Sequence, residues 1–158
     1  SFGRCETDAR CLSFKTRLRS ELRDMVHTHG VRRFLVTLER GPGTWAAEMV
    51  LELKKETDLT LECVIPYEEL AASWPKGDRD RYFRIAEQAD GETMFQTRYT
   101  ADCRSKCMRA MIDRSDCALA VCAGDDPALS HALDYARSRG RWVHILQSGQ
   151  VPLEILPQ

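Results

Sequence analysis

The segment FLVTLERGPGTWAAE, residues 34–48, decides the predicted fold of this chain. Its first five residues form a short apolar run that is typical of a buried strand, and the segment from Trp45 onward has the composition of a helix. Gly41 and Gly43 allow a tight turn between the two elements, and Thr44 is a residue that can cap a helix. The segment therefore predicts a strand followed at once by a helix.

The same alternation of apolar runs and helical patterns continues through the chain. Strands are predicted to begin at Phe34, Leu59, Glu92, Cys117 and Arg141, and helices are predicted over 13–29, 45–56, 68–74, from a cap at Asp78, over 103–113 and between Pro127 and Gly140. Strands that alternate with helices form parallel sheets with helical crossovers. We therefore predict a single α/β domain over residues 1–148, Rossmann-like, with three layers and a mostly parallel sheet, and a tail over 149–158.

Composition excludes several classes of protein. The chain has 158 residues with 23 Lys and Arg against 24 Asp and Glu, a formal charge of −1, which argues against general nucleic-acid binding. No apolar run approaches the roughly 20 residues of a membrane helix, and nothing at the start resembles a signal peptide. These observations predict a cytoplasmic protein with reduced thiols and without a membrane partner.

The side chains that could catalyse a reaction or bind a metal show no catalytic pattern in their spacing. Arg104 and Lys106 near the start of a predicted helix are typical of a solvated face, and no histidine lies in a recognisable Ser/His/Asp context. Cys103 and Cys107 are four residues apart and could share a helix face. Because no Cys-x-x-Cys or Cys/His ligand spacing occurs, we expect no metal and no cofactor.

The turns that follow the strands are the places where a ligand is expected. Sheets of this class bind ligands beyond the carboxyl ends of their strands. The turn with Gly41, Gly43 and Thr44 precedes a helix, whose free N–H groups and dipole would favour a phosphate. Glu48, one turn into the helix, could point towards a ribose or a glycosidic bond. The alternative, which spacing alone favours, is a simple tight turn with a solvent-facing acid.

Two further turns reach the same predicted edge. Gly124 and Asp125 follow the apolar strand that begins at Cys117, and two adjacent carboxylates there oppose a phosphate but could suit a ribose, a metal or a cation. Asp126 is better explained as the cap of the next helix. Arg4 could pair with a carboxylate or phosphate across this edge, or be an ordinary surface arginine.

Several segments together resemble a known family. WAAEMVLELKK, IPYEELAASWPKGDRDRYFRIAEQAD, YTADC, MIDRSDCALAV and ALDYARSRGR are similar, in order, to the YpsA-like family of bacterial Rossmann-like proteins. This family belongs to the SLOG superfamily, which also contains the DNA-processing protein DprA and the LOG phosphoribohydrolases. The resemblance implies a cytoplasmic bacterial protein with a site for a nucleotide or a nucleotide-derived ligand such as ADP-ribose.

The chain departs from the family's pattern at four turns. This chain has Phe2-Gly3-Arg4 where the family has Gly-His-Arg, and Val36-Thr37 with Gly41 and Gly43 where the family has a leading glycine and an aspartate. It has Cys107-Met108 where the family has an Arg-Asn pair, and Pro127-Ala128-Leu129 where the family has a late Gly-Gly-Thr turn. Trp45 and Glu48 are kept. In LOG enzymes two residues separate the threonine from the glutamate, whereas three separate Thr44 from Glu48.

These observations predict a binding or regulatory module rather than a competent enzyme. The residues expected to hold a nucleotide-derived ligand are Arg4, Gly41, Gly43, Thr44, Glu48, Gly124 and Asp125. One alternative is a nucleotide N-glycosidase or phosphoribohydrolase in which Glu48 assists bond cleavage and Arg4 holds the phosphate. Another is a ligand-free protein-interaction domain that forms a homodimer through exposed helices.

Overall fold

The computed structural model describes residues 9–122 and 124–147. Within them five helices and five strands run in the order α1 (Ala9–His27), β1 (Arg33–Thr37), α2 (Pro42–Leu53), β2 (Thr60–Ile65), α3 (Lys76–Gln88), β3 (Gly91–Met94), α4 (Cys103–Asp113), β4 (Cys117–Cys122), α5 (Pro127–Ser138) and β5 (Trp142–Gln147). The predicted α/β class is confirmed. Arg4 and the predicted tail 149–158 lie outside the described residues.

All strand pairs of the described residues are parallel. β2 lies between β1 and β3, and β4 pairs separately with β5, so that the hydrogen-bonded ladders have three strands and two strands. The register places Val36 opposite Cys63 and Cys63 opposite Glu92. Parallel pairing brings the carboxyl ends of β1, β2 and β3 to one edge, which is where ligands of such folds bind.

Helices cover the strands in layers. α2 contacts both α1 and α3, whereas α4 packs on α5, and α5 contacts β4 and β5. The chain passes from β1 to β2 to β3 in one direction, and right-handed crossovers therefore place α2 and α3 on the same face. The mostly parallel, Rossmann-like arrangement expected from the alternation of elements is the one observed.

The core explains why the segment predicted as a helix over 13–29 forms α1. Its apolar side chains recur at helical spacing and are buried, namely Phe14, Leu18, Leu22, Met25 and Val26. They pack in one cluster with buried side chains of β1, α2 and β2. Fully burying such a side chain contributes about 1.5–3 kcal/mol, so this cluster fixes how α1 and α2 sit on the strands.

The predicted helix over 68–74 was wrong. This segment forms successive turns in which the Leu70, Ala72 and Trp74 amides each donate to a carbonyl three residues earlier, at 3.0–3.2 Å. Bonds of this span make tight turns rather than an α-helix, whose amides bond four residues back. The segment lies between Pro66 and Pro75, and proline favours an extended conformation in the residue before it. The turns bring Leu70 and Trp74 to the carboxyl edge of β2.

The predicted cap at Asp78 was also wrong. α3 begins at Lys76, and its N-cap is Pro75 in an extended conformation with φ −53° and ψ 149°. Asp78 therefore lies inside the first helical turn, where a carboxylate is stabilised by the helix dipole. Its carboxylate pairs with Arg40 at 2.7 Å, which ties α3 to the turn after β1.

Candidate functional site

Helix α2, which follows the turn after β1, begins earlier than the sequence predicted. Gly41, with φ 88° and ψ −124°, is the N-cap, and Pro42 opens the helix at the position where its missing N–H costs nothing. Thr44 is consequently a buried residue of the first turn, and its hydroxyl donates to the Gly41 carbonyl at 2.9 Å. The predicted cap by Thr44 is therefore wrong.

The glycines of this turn are explained by packing and backbone conformation. A Cβ on Gly43 would lie 2.3 Å from the backbone oxygen of Thr37, so only glycine lets α2 start so close to the end of β1. The Thr44 amide donates to the Glu39 carbonyl at 3.1 Å and the Trp45 amide to the Gly41 carbonyl at 3.0 Å. The Trp45 bond is the first regular bond of the helix, whereas the Thr44 amide is one that a phosphate cradle would offer and that the turn uses for itself.

Glu48 is held by an arginine that sequence reasoning did not connect with it. Arg81 of α3 donates from Nε to Oε1 at 2.5 Å and from Nη2 to Oε2 at 2.6 Å. Such a two-bond pair fixes the carboxylate in the plane of the guanidinium group. Glu48 is not among the residues that line the pocket described next, and both of its oxygens face Arg81.

An open pocket of about 270 Å³ lies at the carboxyl ends of β1, β2 and β3. The turns after β1, β2 and β3 meet at this edge, as the parallel topology predicts. None of the described residues that were predicted to bind a ligand lines the pocket, namely Gly41, Gly43, Thr44, Glu48, Gly124 and Asp125. The lining is contributed by these turns and by the start of α4, and consists of Glu39, Arg40, Pro66, Tyr67, Leu70, Trp74, Tyr99, Cys103 and Arg104. The volume approaches the lower end of typical small-molecule sites, which is about 300 Å³.

Two tyrosines form an aromatic wall in this pocket. The rings of Tyr67 and Tyr99 meet edge to face with centroids 5.4 Å apart, and Tyr99 is 68% exposed. Burial is the main cause that raises the pKa of Tyr67, so its phenol stays protonated and able to donate a hydrogen bond. Both residues lie in turns that follow predicted strands, where a ligand was expected, but no pattern in the sequence gives a reason to select either tyrosine.

Arg104 connects the turn after β1 with the turn after β4. It donates from Nε to Glu39 Oε1 at 3.0 Å, and from Nη1 to both oxygens of Asp126 at 2.8 and 3.0 Å. Burial alone would lower the pKa of Arg104, but the two carboxylates outweigh it and raise that pKa. Arg104 is therefore a structural cation at the pocket rather than part of the solvated face that its sequence context suggested.

The predicted cap at Asp126 is confirmed. Its Oδ1 accepts a hydrogen bond from the Leu129 amide at 3.1 Å. Burial would raise the pKa of Asp126, but the hydrogen bonds from the Leu129 amide and from Arg104 outweigh it and lower that pKa. The neighbouring Gly124 and Asp125 are exposed, and Gly124 has a φ of 117°. Neither lines the pocket, so the structure brings Asp126, and not Asp125, to the arginine at its rim.

The described residues contain no group of three or more His, Cys, Asp and Glu side chains that could hold a metal ion. Cys103 and Cys107 are both buried, and burial raises the pKa of Cys107 to about 12, so that its thiol remains protonated. In the same part of the chain no helix combines the length and apolar character required to cross a bilayer.

Fold and pocket together define an α/β protein with an open cleft of about 270 Å³ at the carboxyl edge of parallel strands. The model of the YpsA family, described as the YspA SLOG family, matches residues 4–139, which is most of the chain. The chain belongs to this family, and the resemblance seen in the sequence is confirmed.

Two curated relatives support the assignment. The UPF0398 protein OB1025 of Oceanobacillus iheyensis is 28% identical over 120 residues, which cover 72% of this chain and 62% of the relative. The UPF0398 protein BH1768 of Halalkalibacterium halodurans is 36% identical over 62 residues, covering 39% of this chain and 33% of the relative. The chain thus spans less than two thirds of the length of these two relatives.

Proposed function

We propose that this chain is a cytoplasmic binding or regulatory domain for a nucleotide-derived small molecule, such as an ADP-ribose-like compound, and not an enzyme that acts on it. The observation that carries the proposal is the pocket at the carboxyl ends of β1, β2 and β3. It combines an exposed aromatic ring, Tyr99, with the carboxylate of Glu39 and the guanidinium of Arg104.

The pocket offers complementary chemistry to a base and a sugar. The exposed ring of Tyr99 presents an aromatic surface of the kind on which nucleobases stack, an interaction worth about 1–3 kcal/mol per base. Glu39 supplies carboxylate oxygens, which accept hydrogen bonds from sugar hydroxyls. Because the pocket is open and of modest volume, one end of a ligand would occupy it while the remainder extends along the surface.

The pairing of Glu48 favours binding over hydrolysis. A carboxylate that assists glycosidic bond cleavage must reach the scissile bond or its attacking water. Both oxygens of Glu48 are instead engaged by Arg81, and Glu48 does not line the pocket. A hydrolase of LOG type would have to break this two-bond ion pair before Glu48 could act.

Thermal unfolding with added ligand tests the proposal. ADP-ribose, NAD, AMP and adenosine are added in turn, and a ligand at 100 times its dissociation constant should add about 2.7 kcal/mol of stability, which raises the midpoint by several degrees. Tyr99→Ala should weaken the best ligand about tenfold through lost stacking. Phe83→Ala is the matched control, because Phe83 is an equally exposed aromatic residue, at 63%, that does not line the pocket.

Two outcomes would overturn the proposal. If none of the four compounds shifts the midpoint at millimolar concentration, the domain has no nucleotide site, and the homodimeric interaction domain becomes the better explanation. If the protein releases a free base from AMP and Glu48→Gln abolishes this release, the domain is a hydrolase. Chromatographic analysis of each ligand after incubation distinguishes binding from turnover.

A further inference from the structure

We propose that the pocket selects the nucleoside part of its ligand and excludes phosphate, because the internal carboxylates of Glu39 and Asp126 already bind two of the three nitrogens of the Arg104 guanidinium, Nε and Nη1. The inference rests on the proposed function and specifies which end of the ligand enters. Arg104 acts here as a specificity-determining residue whose positive charge is committed within the protein.

The hydrogen bonds of Arg104 establish the first step. Its Nε and Nη1 make three contacts with two carboxylates at distances of 2.8–3.0 Å. A phosphate that pairs with a planar guanidinium through two bonds uses two of its nitrogens. Each such pair in Arg104 includes Nε or Nη1, so the phosphate would have to displace Glu39 or Asp126. Both carboxylate side chains are only 33% exposed, and a displaced one would lose its partner in a partly desolvated place.

The second arginine of the pocket, Arg40, also forms an ion pair within the protein. Arg40 pairs with Asp78 at 2.7 Å across the start of α3. These five side chains, two arginines and three carboxylates, carry one net negative charge between them. A phosphate monoester adds about two more negative charges near neutral pH, and like charges in a partly buried site repel one another.

A neutral nucleoside meets no such opposition. Arg104 engages Glu39 through Oε1, and the second oxygen, Oε2, offers a further acceptor for a ribose hydroxyl. Tyr99, in the lining of the same pocket, supplies the exposed ring for the base. The phosphates of a longer ligand would then lie outside the pocket, in solvent.

Calorimetric titration of adenosine and AMP tests the inference. The wild-type chain should bind adenosine at least as tightly as AMP. Asp126→Asn removes one carboxylate charge but keeps an oxygen that caps α5, because asparagine is as good an N-cap as aspartate. In this variant the affinity for AMP relative to adenosine should rise about tenfold, since Arg104 gains freedom to meet a phosphate. Glu39→Gln should change the ratio in the same direction.

Asp134→Asn provides the matched control. Asp134 lies in α5, the helix that Asp126 caps, is 74% exposed and pairs only with Arg137 in the described contacts. Its substitution therefore changes the net charge by the same amount as Asp126→Asn without removing a contact of Arg104. An unchanged AMP-to-adenosine ratio is expected.

The outcomes separate this inference from the proposed function. Wild-type protein that binds AMP tenfold more tightly than adenosine overturns the inference and leaves the proposed function standing. Equal responses of Asp126→Asn and Asp134→Asn also overturn it, because they assign the effect to net charge. If neither ligand binds, nor ADP-ribose or NAD, both the inference and the proposed function are wrong. Circular dichroism and thermal unfolding verify that each variant is folded.

Discussion

Replacing Glu62 by glutamine should destabilise the protein in a way that depends on pH. Glu62, in the middle strand β2, accepts two hydrogen bonds from Arg114 at 2.8 and 2.9 Å, one from Arg33 at 2.9 Å and one from Thr93 at 2.5 Å. The hydrogen bonds from Arg114, followed by that from Thr93, lower the pKa of Glu62 from 4.5 to about 2 despite partial burial.

The magnitude follows from that pKa difference. A change from 4.5 to about 2 corresponds to roughly 3 kcal/mol of preference for the ionised carboxylate in the folded state. Arg33 is 56% exposed and Arg114 39% exposed, so solvent screening reduces the expected loss in Glu62→Gln to about 1–2 kcal/mol. Glu52→Gln, at an exposed pair with Lys55 in α2, is the matched control and should change stability by less than about 0.5 kcal/mol.

The pH dependence gives the decisive comparison. Because the pKa of Glu62 is lower in the folded than in the unfolded state, its contribution is fully present above pH 4.5 and declines as the pH falls towards 2. Urea unfolding at pH 7 and pH 3 should therefore show a difference between wild type and Glu62→Gln that shrinks by at least half at the lower pH. A difference that is absent at pH 7, or identical at both pH values, would refute this reasoning.

Three further predictions concern the turn, the Glu48 pair and the thiols. Gly43→Ala should lower the unfolding free energy by about 1–3 kcal/mol because its Cβ meets backbone, whereas Gly77→Ala, in open space within α3, should be neutral or stabilising; equal midpoints would contradict this. Glu48→Gln should cost about 1 kcal/mol in urea unfolding, and no loss would mean that its pair with Arg81 contributes nothing. Iodoacetamide should leave Cys107 unmodified in native protein and alkylate it in urea, as mass spectrometry can show; native alkylation would contradict its burial.

The fold was largely predictable because it depends on local patterns. Apolar spacing in α1, the short apolar runs of β1, β2 and β4, and the Asp126-Pro127 start of α5 are each readable within about ten residues of sequence. Where local patterns misled, at residues 68–74 and at Asp78, Pro75 contributes in both cases, because proline disfavours helical backbone at Trp74 and Pro75 itself is the N-cap of α3.

The site was predictable in position but not in its side-chain contacts. The turns at the carboxyl edge follow from topology alone. The partners of Glu48 and Glu39, by contrast, are arginines 33 and 65 residues further along the chain. Nothing in local spacing indicates such pairs, because they depend on how α3 and α4 pack across the strands. Arg104 was for this reason taken as a solvated residue.

The bridge made by Arg104 has a mechanical consequence. In the described part of the chain β1, β2 and β3 form one hydrogen-bonded ladder and β4 with β5 another, and the ion pairs of Arg104 reach from the end of the first to the start of the helix after β4. Any ligand that alters the contacts of Arg104 also alters the free energy of separating the two ladders. By thermodynamic reciprocity, a partner that pushes the ladders apart would change the affinity for that ligand by the same factor.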